Sequence, residues 1–105
     1  MIALAADHLA IVRDILARHL PDHEVRAFGS RVRGTSRPTS DLDLVIMTTT
    51  PLEIGRIADL LEAFSEAPLP FKVDLVDWAG CNDVFRDLIS DDFISLHDGR
   101  KSAPA

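Results

Sequence analysis

The seven residues Asp41-Leu42-Asp43-Leu44-Val45-Ile46-Met47 constrain the fold of this chain more than any other segment. A period of two puts Asp41, Asp43, Val45 and Met47 on one side of a strand and Leu42, Leu44 and Ile46 on the other. One side is wholly apolar and needs a cover; the other begins with two acids. The pattern predicts a central strand of a sheet that presents a pair of carboxylates at its start. Carboxylates two apart on a strand point the same way, roughly 6–7 Å from one another. Unpaired, they repel and raise each other's pKa. A divalent cation removes that cost, and Mg²⁺ suits the arrangement, taking one or two protein carboxylates and filling its octahedron with water and phosphate oxygens.

A second feature precedes the acids. Glu24 to Phe28 reads as a short strand that ends at Gly29-Ser30, and Arg31-Val32-Arg33 reads as a short helix before Gly34. Gly29 allows a ligand close to the backbone. The free N–H groups at a helix start, with the Ser30 hydroxyl, suit an anion such as phosphate. Arg31 and Arg33 are available for charge-assisted bonds to it. A phosphate cradle and two metal-binding acids on either side of one polar loop, Ser30 to Ser40, are together what a metal–triphosphate complex requires.

The flanking segments supply a core. Leu9, Val12, Leu16 and Leu20 recur at helical spacing, with Asp7 as the expected N-cap and Pro21 as the stop. Leu52 to Ala67 reads as an amphipathic helix, Phe71 to Val76 as a strand, and Asn82 as the cap of a last helix through Val84, Phe85, Leu88 and Ile89. Phe93 to Leu96 is an edge strand or a packed tail. Asp74 lies inside the Phe71–Val76 strand, where an acid buried without a partner is costly. If that strand neighbours residues 41–47, Asp74 completes the site, sharing a metal or accepting a proton from an attacking hydroxyl; otherwise it faces solvent, as Asp77 is expected to do unless it caps a turn. The order of elements predicts an α/β (α+β) domain, a small sheet with helices packed against it.

Bulk properties narrow the class. The 105 residues fit one domain, expected over 1–98, with a flexible tail over 99–105. A net charge of −6 argues against general nucleic-acid binding, although Arg26, Arg31, Arg33 and Arg37 cluster where phosphates could be met locally. A single cysteine, Cys81, permits no internal disulfide. No apolar run approaches the ~18 residues of a membrane span, so a cytoplasmic protein without membrane contact is expected. His8, His19, His23 and His97 form no ligand pattern.

Gly29-Ser30, ten residues, then Asp41-x-Asp43, followed by a later strand with one Asp, resembles the polymerase-beta-like nucleotidyltransferase superfamily. The wording Gly-Ser-Arg-Val-Arg-Gly, Ser-Asp-Leu-Asp-Leu-Val and Val73-Asp74-Leu75-Val76-Asp77-Trp78 is similar to its smallest prokaryotic members, the minimal nucleotidyltransferases, over about residues 8–98. Val32 stands where alanine is usual. The resemblance implies a small mixed β-sheet with helices against it. It implies that Gly29 and Ser30 hold the β- and γ-phosphates of a nucleoside triphosphate, ATP first, with Arg31 where the small members usually carry a basic or polar residue. Asp41 and Asp43 would bind two Mg²⁺ ions, and Asp74 would be the third carboxylate. The reaction implied is in-line attack of a protein or RNA hydroxyl on the α-phosphorus, with release of pyrophosphate. It further implies a small all-helical partner of the substrate-binding or HEPN type, in a homo- or hetero-oligomer, and in some pairs an antitoxin that adenylylates that partner. Two other readings stay open: a non-catalytic subunit that occludes its partner, and a regulatory domain that senses nucleotide.

Overall fold

The computed structural model, which describes residues 2–99, runs α1 (Ala6–His19), β1 (Val25–Phe28), α2 (Ser30–Arg33), β2 (Leu42–Ile46), α3 (Ile54–Glu66), β3 (Val73–Asp77), a 3-10 turn (Trp78–Gly80), α4 (Asp83–Asp91) and β4 (Ile94–His97). The tail expected over 99–105 lies, apart from Gly99, outside the described residues. The strands form one mixed sheet in the order β3-β2-β1-β4. β1 runs antiparallel to β2 and β4, while β2 and β3 are parallel. A parallel pair needs a crossover, and α3 provides it.

The alternation in β2 decides how the layers stack. Leu42, Leu44 and Ile46 are fully buried, together with Val25 and Ala27 of β1, under Val12, Ile15 and Leu16 of α1 and Leu60 and Phe64 of α3. The register agrees, because Ala27 pairs with Leu44 and Val25 with Ile46, and directly paired residues share a face. The opposite face carries Phe28, Asp43, Val45 and Asp74 in the same registers. There Phe85 of α4 meets Phe28 edge to face, with ring centroids 5.7 Å apart. Val45 and Ile89 are fully buried outside the main cluster, so this face has an apolar seam of its own. Helices α1 and α3 therefore cover one side of the sheet, while α4 covers part of the side that bears the acids.

Element edges differ from expectation by a residue or two. The first helix starts at Ala6 rather than after Asp7, and no side chain caps it. Asp7 sits in its first turn, where its charge still complements the helix dipole. The third strand starts at Val73 rather than Phe71 and extends to Asp77. Asn82 does cap α4, its side chain accepting from the Phe85 N–H at 2.8 Å. The last segment is an edge strand, tied to α1 by the Arg13 side chain donating to Leu96 O at 3.1 Å.

Candidate active site

Asp43 and Asp74 are direct register partners on the parallel strands β2 and β3. Adjacent strands lie about 4.8 Å apart, so the two carboxylates start from neighbouring Cα atoms on the same face. Asp43 is half-buried, whereas Asp74 and Asp41 are exposed. Asp41 lies just before β2. The Asp43 carboxyl is pushed above its usual range, first by burial and then by the charges of Asp74 and Asp41, while Arg33 pulls it back. All three expected acids thus act on one point in the sheet. Among the described residues, no three His, Cys, Asp or Glu side chains form a finished cage for a metal. Ionised carboxylates repel one another, and a magnesium site on phosphate draws most of its ligands from water and substrate. The donors here are all hard oxygens, the chemistry that cation prefers.

Gly29 is the N-cap of α2, with φ 85° and ψ −157°, a region in effect reserved for glycine. Its position also leaves no space: a Cβ there would overlap the Asp43 carboxylate, lying 3.2 Å from Cγ and closer still to Oδ2. The turn that opens α2 is therefore pressed directly against the central acid. The Val32 and Arg33 N–H groups both donate to Gly29 O at 3.0 Å. The Ser30 and Arg31 N–H groups, at the first turn, have no acceptor among the described residues. Arg33 is exposed and electrostatically coupled to Asp43.

Arg31 has a different task from the phosphate contact expected of it. It is 5% exposed, and burial lowers its pKa from the ordinary arginine value. Its guanidinium donates to Ala3 O at 2.7 Å, Pro38 O at 2.9 Å and Ser40 O at 2.8 and 3.0 Å. The group also lies over the Phe71 ring, 4.4 Å from the centroid. All three guanidinium nitrogens are occupied by backbone carbonyls, so the side chain faces inward rather than toward a ligand. The sequence did carry a signal for this: a polar loop with little apolar content must find donors for its carbonyls.

Asp77 is half-buried rather than a solvent acid, and it holds the N-cap position of the 3-10 turn without a side-chain bond to that turn. Its carboxylate accepts from the Thr48 hydroxyl and, at 2.7 Å, from the Leu52 N–H, while Thr48 Oγ1 accepts from the Ala79 N–H at 3.1 Å. This knot ties the end of β2 and the approach to α3 to the end of β3. Asp77→Ala leaves a buried hydroxyl and an amide short of an acceptor, and is expected to lower unfolding stability by about 1–3 kcal/mol. Denaturant melts measure that loss. The change in melting temperature produced by Mg²⁺ with a non-hydrolysable ATP analogue should survive it, because Asp77 lies at the far end of the strand from Asp43 and Asp74.

Comparison with known proteins gives the family and the fold. The family model described as "Nucleotidyltransferase domain" matches residues 9–97. A Haemophilus influenzae protein described as "Probable protein adenylyltransferase MntA" is 42% identical over 99 residues, covering 94% of this chain and 87% of that one. A solved toxin–antitoxin structure with AMP-PNP superimposes with a TM-score of 0.71 at 22% identity, over 89% of this chain and 74% of the other. A tri-AMPylated HEPN toxin in complex with its MNT antitoxin, from Shewanella oneidensis, gives a TM-score of 0.61 at 19% identity, over 86% and 72%. At such identities the two structures speak to the fold, and the family match together with the Haemophilus relative speaks to descent: this chain belongs to the nucleotidyltransferase domain family.

Proposed function

We propose that this chain is a Mg²⁺-dependent adenylyltransferase that moves AMP from ATP to a hydroxyl of a protein, and that the acceptor is a small all-helical partner for which it serves as antitoxin. The observation that carries the reading is the Asp43–Asp74 register pair beside a glycine turn that leaves no room for a side chain. The relative described as a probable protein adenylyltransferase supports the class of acceptor, and the HEPN–MNT complex supports the class of partner.

Asp41, Asp43 and Asp74 would hold the metal, which supplies positive charge against the phosphate oxygens. The Ser30 hydroxyl and the open N–H groups of α2 hold the β- and γ-phosphates. Arg33, already coupled to Asp43, offsets the negative charge that gathers there. Asp74, the exposed member of the pair, accepts the proton of the attacking hydroxyl. The acceptor oxygen bonds to the α-phosphorus while the bond from that phosphorus to the bridging oxygen breaks, and pyrophosphate leaves. Positioning and charge do most of this work, which is why so few side chains suffice.

Two labels test the proposal. With ATP labelled at the α-phosphate and the purified helical partner, label is expected on the partner; with ATP labelled at the γ-phosphate, none. Label from the γ-phosphate would make the protein a kinase. A tight complex that never takes up label would favour occlusion without chemistry, and label on RNA instead would move the acceptor class.

A further inference from the structure

The loop that leads into Asp41 has little to hold it. Thr35, Arg37, Pro38 and Thr39 are exposed; Thr35 N–H donates to Ser30 O at 3.1 Å, and the turn is closed by Ser40 N–H donating to Arg37 O and Arg37 N–H to Ser40 Oγ. Arg31 supplies the missing anchorage. One guanidinium gathers Pro38 O and Ser40 O from this loop, Ala3 O from the N-terminal segment, and the face of Phe71 from the approach to β3. The N-terminal segment is held reciprocally, since Ala3 N–H donates to Arg31 O at 2.8 Å. Ser40 is bonded to Asp41, Phe71 lies three residues before Asp74, and Arg31 itself follows Ser30. The strand behind is continuous with this knot, because Leu42 N–H donates to Lys72 O at 2.9 Å.

We propose that Arg31 is the positioning residue of the active site, a buried clamp that fixes Asp41 relative to Ser30 and Asp74 without touching substrate. Its catalytic consequence rests on the transferase reading; its structural consequence does not. The task needs arginine rather than any cation. A planar fork donates to several carbonyls in one plane while its face stacks on a ring, and an ammonium group does neither. Lysine at this position keeps the charge and loses the geometry.

The test compares the full chain with Arg31→Lys and with Phe71→Leu, which removes the stack and the edge contact to His8 but none of the carbonyl acceptors. Backbone hydrogen exchange is measured over residues 37–43. Mn²⁺ binding is titrated by its EPR signal with a non-hydrolysable ATP analogue present, and kcat and KM for ATP are determined. For Arg31→Lys, exchange should quicken in residues 37–41 while α1 and α3 keep their protection. The Mn²⁺ midpoint should rise about tenfold and kcat should fall about 10–100-fold, as for other residues that orient ligands. KM for ATP should stay near its wild-type value. Phe71→Leu should move each quantity the same way by less, and it decides the matter if Arg31→Lys does not fold. A raised KM with kcat preserved would mean that Arg31 grips phosphate after all and would overturn the clamp. So would an unchanged Mn²⁺ midpoint, or exchange that quickens uniformly across α1 and α3. Should the wild-type chain transfer no label, the transferase reading fails, and exchange with Mn²⁺ binding still decides the clamp.

Discussion

Asp43→Asn is expected to cut adenylyl transfer by about 10³-fold or more, since removing a charged ligand from a metal–phosphate complex forfeits several kcal/mol of transition-state stabilisation. The same substitution should make the metal-free protein more stable. In the folded chain the Asp43 carboxyl titrates above its usual range, first because it is buried and then because Asp74 and Asp41 are negative. Between its unfolded and folded values, the folded state therefore binds the extra proton, and stability falls as pH rises through that window. Above that window an ionised Asp43 without a cation is a net liability. Asparagine keeps the shape and removes the charge. Melts in EDTA should show a higher melting temperature for Asp43→Asn than for wild type at neutral pH, with the two converging as pH falls to where Asp43 is protonated. Melts with Mg²⁺ and a non-hydrolysable ATP analogue should reverse the order, because only the wild type gains from binding. A lower melting temperature in EDTA would instead assign Asp43 a structural hydrogen bond. Stability yielded to function in this way is common at sites built to receive charge.

That liability was visible in the order of residues alone. Alternation over 41–47 fixed which side of β2 is buried, because Leu42, Leu44 and Ile46 have no other place to go. It also put Asp43 on the opposite side from the core. The turn at Gly29-Ser30 between a strand and a short helix was legible too. Periodicity, however, names a face and never a neighbour. Whether Asp74 met Asp43 depended on a parallel crossover through α3, and strand order is a property of the packed sheet. The partners of Arg31 and Asp77 stayed hidden in the sequence for a related reason. Both are charged residues beside motifs, and sequence assigns such residues to ligand or solvent by default. In the fold their partners lie well away along the chain: the Ala3 and Ser40 carbonyls for Arg31, the Thr48 hydroxyl and Leu52 N–H for Asp77. A buried charge satisfied by main-chain carbonyls leaves no pattern in side-chain spacing.

Gly29→Ala and Gly34→Ala, made side by side, separate backbone strain from damage to the site. Both glycines flank α2 with positive φ, 85° and 83°. Alanine at either position costs about 1–3 kcal/mol of strain. In a domain of this size each kcal/mol lowers the melting temperature by about 4–8 °C. Gly34 has open space where a Cβ would be, so Gly34→Ala should lose stability and little else. At Gly29 the added methyl runs into the Asp43 carboxylate. That carboxylate cannot retreat freely, because Asp74 is its register neighbour and carries the same charge. A displacement of about 1 Å at a reacting site is worth about 10²-fold in rate. Gly29→Ala should therefore lose transfer by about that factor or more, together with the melting shift from Mg²⁺ and the ATP analogue. Gly34→Ala, at matched fraction folded, should keep both. Equal losses of activity in the two variants would mean that stability alone accounts for the effect, and that the close approach of the turn to Asp43 has no part in the chemistry. Loss confined to Gly29→Ala would tie the glycine turn and the central acid into one unit, in which α2 can sit against Asp43 only because nothing projects from residue 29.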